Sequence, residues 1–265
     1  MVVDMLTPEQ VSTAAALLLD AHRTNSRIEQ LPSGFAPLNF TDAYAIQQAV
    51  WQGLGWGAER PISHWKCGCQ TPDADRFVAP IYPDRVFENG ATVPPTLLHE
   101  IAAESEIAYR LGRDLLKREQ PYSEAEVHAA IDAIVVTLEI CDSRIHEWRE
   151  VSFYWQCADN QNSGAMIIGE QLREWQSIDM AHQEAQLWVN GELHTSRIGG
   201  NTVVDPFKVM TSAVNQVVER TGAVRAGDLF TAGSWVGTCV VQPGSEVIAK
   251  FPGIGEARAH FGSLA

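Results

Sequence analysis

Residues 99–114 read HEIAAESEIAYRLGRD, and this stretch decides the fold class. Apolar and small side chains occupy every second position from Ile101 to Leu111, and this period of two predicts a half-buried β-strand. The same alternation puts Glu104 and Glu106 on the other face of the strand, about 7 Å apart and flanked by alanine. Such a pair is either an ordinary solvated strand face or part of a site that binds a cation.

A third acidic side chain, Glu139, lies inside the largely apolar run of residues 134–141. An unpaired charge in a buried strand is costly, so Glu139 needs a partner. One candidate is a buried ion pair with Lys66 or Arg144. The other is a cation shared with the first two glutamates. Three carboxylates are a ligand set typical of a hard, oxygen-bound divalent ion, and such a site indicates an enzyme.

Strands joined by short turns outnumber helices after residue 95, which favours an α+β fold over a doubly wound one. We therefore predict one catalytic domain over residues 1–265, with a helical N-terminal layer (residues 1–60) and a mixed, curled sheet that carries the site (residues 61–265). Cap residues and turn dipeptides give the element boundaries. Helices are predicted from Thr7-Pro8, from Thr41, over residues 123–133 and from Asp205-Pro206 to Val218; strands are predicted on either side of Asn190-Gly191 and over residues 229–237, 245–251 and 256–261.

The chain has 265 residues, of which 45% are hydrophobic, and a formal net charge of −14. This charge argues against nucleic-acid and anionic-membrane partners, which select basic patches, although a bound metal ion could still attract a small anion. The first residues lack the features of a signal peptide, and no apolar run approaches the length of about 20 residues that spans a membrane. Five irregularly spaced cysteines suit reduced thiols, so we expect a cytoplasmic protein.

Three further segments carry polar side chains that could do chemistry. Lys66, in SHWKCG, is either an exposed lysine or, if it faces the carboxylates, a group that holds an anionic substrate or carries a proton. Residues 158–163, ADNQNS, form either an ordinary loop before a strand or a polar loop at a cleft. Ser234, in TAGSWVG, could bind a carboxylate at a glycine turn. The sequence has neither the GxSxG motif of serine hydrolases nor the HExxH motif of zinc hydrolases.

Several of these segments together resemble a known family. The segments are ESEIAYRLGRDL (104–115), LEICDSR (138–144), ADNQNSGA (158–165) and AGDLFTAGS (226–234), with AHRT (21–24) and FTDAYAIQ (40–47) near the N-terminus. In this order they resemble the 2-keto-4-pentenoate hydratase and 4-oxalocrotonate decarboxylase group of the fumarylacetoacetate hydrolase superfamily. The resemblance covers nearly the whole chain. It implies a mixed β-roll or sandwich fold and assembly into a homo-oligomer.

The resemblance also implies a role for each candidate residue. It assigns a Mg²⁺ or Mn²⁺ ion to the three carboxylates, substrate orientation or proton relay to the lysine, and polar contacts with the substrate to the loop and the turn. A hydrolase on this site would in addition need a base for activating water, for which there are several candidates. The positions are Glu104, Glu106 and Glu139 for the metal; Lys66 for catalysis; Asp159, Asn160, Ser163 and Ser234 for the substrate; and Asp142, His64 or His146 for the base.

The implied reaction is the addition of water to a 2-hydroxy-2,4-dienoate, a small acid of aromatic-compound catabolism, through a metal-stabilised enolate. Decarboxylation of a 2-oxo-3-enedioate such as 4-oxalocrotonate and hydrolysis of an acylpyruvate remain open on the same metal site. A non-catalytic scaffold is a further alternative, but it would have no use for three buried acids. In the hydratases an aspartate follows the lysine segment; here that loop is shorter, and Asp73, Asp75 and Asp84 are candidates without a clear match.

Overall fold

Two long antiparallel strands form the centre of the larger sheet, as the alternating pattern predicts. A computed structural model describes residues 5–57, 59–71, 73–199 and 206–263. In it, β5 (Ile101–Leu111) pairs with β7 (Ile131–Cys141), and Glu104 lies directly opposite Glu139 in the register. The β-branched side chains that dominate β7 favour this extended conformation, and most of them are buried.

The helices and remaining strands follow these bounds. The helices are α1 (Pro8–Thr24), α2 (Phe40–Gly53), α3 (Glu124–His128), α4 (Phe153–Ala158) and α5 (Pro206–Thr221). The strands before β7 are β1 (His64–Cys69), β2 (Arg76–Ile81), β3 (Val86–Glu88), β4 (Ala91–Val93) and β6 (Leu115–Leu116). Those after it are β8 (Ser163–Leu172), β9 (Glu184–Val189), β10 (Glu192–Ile198), β11 (Ala223–Val224), β12 (Leu229–Thr231), β13 (Cys239–Val241), β14 (Glu246–Phe251) and β15 (Gly255–Phe261).

The described strands form a mixed α+β architecture with two principal sheets, which confirms the predicted fold class. The larger sheet has the order β2-β1-β12-β5-β7-β8-β3, with β13 also paired to β5. The second has the order β10-β9-β14-β15-β4, and β6 and β11 form a small separate pair. Helix α5 packs on β1 and β2, while β14 and β15 pack on the central strands β5, β7 and β8. This packing joins the two sheets through one buried apolar core.

Gly169 on β8 shows how closely the two sheets approach. A Cβ atom at this position would lie 2.4 Å from the carbonyl oxygen of Glu256 and 2.5 Å from the Cβ of Ala257, both on β15. Only the absence of a side chain permits this contact. The outer end of the second sheet is the predicted hairpin, in which Asn190 and Gly191 both have positive φ and connect β9 to β10.

Helices α1 and α2 form the predicted helical N-terminal layer, and α4, from later in the chain, packs on α2 and joins them in a second apolar cluster. Thr7 caps α1: its side chain accepts a hydrogen bond from the backbone N–H of Gln10, whose own side chain accepts one from the backbone of Thr7. A bridge between Ile28 and Ile145 connects the segment after α1 to the segment after β7. In the part of the chain that the structure describes, no helix is both long and apolar enough to cross a membrane.

The structure corrects two predicted boundaries and adds one strand that was not predicted. The helix predicted over residues 123–133 ends at His128, because the β-branched run from Ile131 pairs with β5 instead. The strand predicted over residues 229–237 ends at Thr231 and continues as a loop. The strand β1, which carries Lys66, has buried residues on both faces and therefore lacks the alternation that predicts a strand. Asp205, the predicted cap of α5, lies outside the described residues.

Candidate metal centre

Adjacent strands of the larger sheet bring the predicted carboxylates together. Glu104 and Glu106 lie on β5 and Glu139 on β7, with Glu104 and Glu139 in direct register. Glu106 and Glu139 are each 1% exposed, whereas Glu104 is partly exposed. The carboxyl groups of Glu106 and Glu139 are close enough to share a hydrogen bond. The three carboxylates therefore lie together on one face of the sheet, and the burial of Glu106 and Glu139 excludes an ordinary solvated strand face.

Lys66 provides a positive charge within this group. It lies on β1, at 7% exposure, and its ammonium group forms an ion pair with Glu139. The Nζ atom is also 3.8 Å from the sulfur of Cys141. Burial disfavours the ammonium, but Cys141, Glu139 and Glu104 outweigh that effect and raise the pKa of Lys66 above its ordinary value. Lys66 is therefore a charged hydrogen-bond donor held against the carboxylates.

The three acids carry more negative charge than one lysine can balance. Burial and repulsion from Glu139 and Glu104 raise the pKa of Glu106 well above its usual range. Burial, followed by repulsion from Glu104, also raises the pKa of Glu139 despite its ion pair with Lys66. A divalent cation among these oxygens would stabilise their ionised forms. The donor set and its charge fit Mg²⁺ or a similar hard ion, which Glu104, Glu106 and Glu139 would hold.

Hydroxyl and amide groups hold two of the carboxylates in place. The hydroxyl of Thr231 on β12 donates to Glu106, which also accepts a hydrogen bond from the Gly233 amide (3.2 Å). The hydroxyl of Thr238 donates to Glu104. Neither threonine was predictable from the sequence, because a single threonine has no spacing signal. Their role follows from the pairing of β12, which carries Thr231, and of β13, which begins directly after Thr238, with β5.

The loop over residues 158–163 lies at the end of the same strands. Asp159 is 1% exposed, and its carboxylate accepts hydrogen bonds from Arg144 (2.6 Å to Nε) and from the Ser143 hydroxyl (2.7 Å). Arg144 also donates to the carbonyl oxygens of Ser163 and Asp159. Arg144 therefore pairs with Asp159, not with Glu139, and this pair fixes the loop. Burial still raises the pKa of Asp159, although Arg144 opposes that effect.

Asn160, Ser163 and Ser234 lie in the two segments that border the carboxylates. Ser163 is the register partner of Cys141 on β7. Asn160 adopts a left-handed backbone conformation (φ 52°), and its buried Oδ1 has no hydrogen-bond partner among the described residues. The hydroxyl of Ser234 donates to the carbonyl of Gly237 (3.0 Å), in the loop whose Gly233 amide contacts Glu106. The structure thus brings the predicted loop and turn to the edge of the acidic group.

Asp142 points to a different set of partners. Its carboxylate accepts hydrogen bonds from the backbone amides of His99 (3.0 Å) and Glu100 (3.1 Å) and from Arg27 (3.3 Å). Burial opposes ionisation, but contacts with His99 and the nearby Arg144 lower the pKa of Asp142. Of the other two candidate bases, His64 lies on β1 beside the Ser63 hydroxyl and burial lowers its pKa to about 4, whereas His146 is paired with the exposed Glu29.

Comparison with known proteins gives the same family as the motifs. Residues 78–261 match the family described as fumarylacetoacetate (FAA) hydrolase C-terminal. A 2-keto-4-pentenoate hydratase of Paraburkholderia xenovorans (strain LB400) is 30% identical over 268 residues, which cover 97% of each chain. A 4-oxalocrotonate decarboxylase of Pseudomonas putida is 24% identical over 270 residues, 97% of this chain and 98% of that one.

A solved structure has the same fold over nearly the whole length. The 4-oxalocrotonate decarboxylase from Pseudomonas putida G7, complexed with magnesium and adipate, superposes with a TM-score of 0.83 at 22% identity, covering 98% of this chain and 100% of that chain. Another structure of that enzyme contains calcium and acetate and gives a TM-score of 0.81. This chain belongs to the fumarylacetoacetate hydrolase superfamily, in the group that contains 2-keto-4-pentenoate hydratases and 4-oxalocrotonate decarboxylases.

Proposed function

We propose that this protein is a divalent-metal-dependent hydratase that adds water to a 2-hydroxy-2,4-dienoate in the breakdown of aromatic compounds. The observation that carries the proposal is the cluster of Glu104, Glu106 and Glu139, the last two buried, beside the ammonium of Lys66. The names of the relatives support the substrate class, because a 2-keto-4-pentenoate hydratase is 30% identical over nearly the whole chain. Magnesium is the metal we propose, since oxygen donors predominate.

The bound ion would supply positive charge to the 2-oxygen of the substrate, where negative charge develops during the reaction. Lys66, held in an ion pair with Glu139, could orient the substrate carboxylate or deliver a proton to the substrate carbon. The hydroxyls of Thr231 and Thr238 keep the carboxylates of Glu106 and Glu104 in fixed orientations. These contacts reduce the reorganisation that charge development would otherwise require.

The bordering loop and turn would bind the polar ends of the substrate. The free Oδ1 of Asn160 can accept a hydrogen bond, and the hydroxyl of Ser163 lies beside β7. Ser234 lies next to Gly233, whose amide binds Glu106, and would contact the substrate from that turn. Asp159 would act on the substrate only through the position of this loop, since Arg144 and Ser143 already bind its carboxylate. The prediction that Asp142 accepts the proton of water stays a prediction.

Decarboxylation of a 2-oxo-3-enedioate is the second candidate function. The observation that favours it is the full-length superposition on the 4-oxalocrotonate decarboxylase whose complex contains magnesium and adipate. Both reactions need the same stabilisation of negative charge at the 2-oxygen. They differ in the next step, which is the addition of water to a double bond in the hydratase and the loss of CO₂ in the decarboxylase. A second carboxylate on the substrate would need a positive or amide-rich surface facing the metal.

A panel of substrates distinguishes the two functions. A 2-hydroxy-2,4-dienoate, 4-oxalocrotonate and an acylpyruvate would each be incubated with the protein and Mg²⁺, and then with a chelator in place of Mg²⁺. We expect hydration of the dienoate that stops on chelation. If the protein released CO₂ from 4-oxalocrotonate with a higher kcat/KM than it hydrated the dienoate, it would be a decarboxylase rather than a hydratase. Turnover that does not depend on metal would contradict both.

A further inference from the structure

Cys141 places a sulfur atom against the acidic group. It lies two residues after Glu139 on β7, so both side chains share one face of the strand. Its sulfur, one oxygen of Glu139 and one oxygen of Glu104 all lie within 4.8 Å of one another. Two ligands that each lie about 2.0–2.3 Å from one ion are separated by at most about 4.6 Å. The spacing of these three atoms is therefore close to that of a ligand set around one cation.

The surroundings of Cys141 differ from those of an ordinary buried cysteine. A free cysteine in a core usually behaves as a small apolar side chain. Cys67 and Cys157 each have a neutral partner instead: the sulfur of Cys67 donates to the carbonyl of Thr231, and that of Cys157 to the amide oxygen of Gln161. Cys141 faces two carboxylates and the Lys66 ammonium, which is 3.8 Å from its sulfur. Its neighbours are thus the other potential ligands of the metal centre.

A sulfur donor changes which ions such a centre binds. Magnesium prefers oxygen ligands, whereas thiolates select softer ions such as Zn²⁺, Co²⁺ and Cd²⁺. A metal ion can displace the proton of a coordinating thiol, so burial of the neutral thiol does not prevent binding. A serine at residue 141 would keep the size of the side chain and remove this selectivity.

We propose that Cys141 is a ligand of the metal centre, together with Glu104 and Glu139, and that it gives the centre selective affinity for thiophilic divalent ions. This inference rests on the metal site of the proposed function and extends it. The carboxylates alone would bind a hard ion, and the thiol adds a binding mode that a purely carboxylate centre lacks. Zn²⁺ or Co²⁺ would then compete with Mg²⁺ for the same residues.

Cobalt spectroscopy tests this proposal with a readout that does not depend on turnover. Co²⁺ would be titrated into the metal-free wild-type protein, Cys141→Ser and the control Cys69→Ser, which changes a partly exposed cysteine on β1. We expect a sulfur-to-cobalt charge-transfer band in the wild type and the control that is absent in Cys141→Ser. Calorimetry should show an affinity for Zn²⁺ that falls by about 10-fold or more in Cys141→Ser, with a much smaller change for Mg²⁺.

Different negative results would contradict the role of Cys141 and the proposed function. If Co²⁺ binds to the wild type without a charge-transfer band, Cys141 is not a ligand, and the carboxylate centre stands. If Zn²⁺ and Mg²⁺ lose affinity equally in Cys141→Ser, the selectivity claim is overturned. If the wild type binds neither Mg²⁺ nor Co²⁺, the proposed function fails as well. Cys141→Ala, compared by circular dichroism and thermal unfolding, serves as the second variant should the serine variant fold poorly.

Discussion

Lys66 places a positive charge against Glu139 in a region that otherwise holds three carboxylates. We predict that Lys66→Met loses about 10²–10⁴-fold in kcat, because a positioned proton donor contributes about that much. Its Mg²⁺ affinity should be unchanged or higher, since no ammonium then competes for Glu139. Steady-state kinetics and calorimetry measure the two effects separately.

The matched control is Lys117→Met, because Lys117 pairs with Glu219 on the exposed surface. This variant should keep wild-type kcat and Mg²⁺ affinity. If Lys66→Met lost Mg²⁺ affinity in proportion to kcat, Lys66 would be needed to maintain the metal centre rather than for the reaction.

Thr231 is the second residue whose contribution to the metal centre can be measured with one substitution. Its hydroxyl donates to Glu106, and it is completely buried. We predict that Thr231→Val lowers Mg²⁺ affinity by about 10–100-fold, as loss of a hydrogen bond that orients a metal ligand usually does. Calorimetric titration checks this, with Thr195→Val on the outer strand β10 as the control. Equal affinities for the wild type and Thr231→Val would remove Thr231 from the metal centre.

At the scale of elements, the close contact between β8 and β15 depends on Gly169. A methyl group there would come within 2.4 Å of a backbone oxygen on β15, so the sheets would have to separate. We predict that Gly169→Ala lowers the free energy of unfolding by about 1–3 kcal/mol, the usual cost of overpacking. Urea unfolding would measure it. The control Gly34→Ala has no atom within 4 Å of the added methyl group, and a loss as large as that of Gly169→Ala would refute the steric explanation.

The elements that were predictable from the sequence are those with a long, regular pattern. The strand β5 alternates over eleven residues, and α1 begins with a complete capping box, so both were predicted correctly. The strand β1 is only six residues long and buried on both faces, which leaves no alternation to detect. The helix predicted over residues 123–133 had good caps, but pairing with β5 outweighed local propensity from Ile131 onward.

In the candidate site, too, some features follow from a sequence pattern and others depend on tertiary contacts. Glu104, Glu106 and Glu139 were predictable because a charge in an apolar strand is unusual at the level of sequence. The ion pair of Lys66 with Glu139, rather than with an exposed partner, depends on how the sheet brings β1 towards β7. The contacts of Thr231 and the pairing of Asp159 with Arg144 are tertiary and have no sequence signal.

For the whole molecule, metal binding should couple to stability. An ion that binds only the folded state adds about 2.7 kcal/mol when its concentration is 100 times its Kd. We predict that Mg²⁺ raises the thermal midpoint of the wild type and not that of Glu139→Gln. Differential scanning calorimetry checks this, with Glu192→Gln on the exposed edge of β10 as the control. A similar rise in Glu139→Gln would place the stabilising ion elsewhere.

The central claim is that this acidic centre stabilises negative charge on the 2-oxygen of a 2-oxo acid. Solvent exchange tests it before hydration and decarboxylation diverge. A saturated 2-oxo acid would be incubated in D₂O, and the loss of its C3 hydrogens followed by proton NMR. We predict exchange that requires Mg²⁺, stops in Glu139→Gln and persists in Glu192→Gln. Metal-independent exchange, or exchange that survives in Glu139→Gln, would contradict the account.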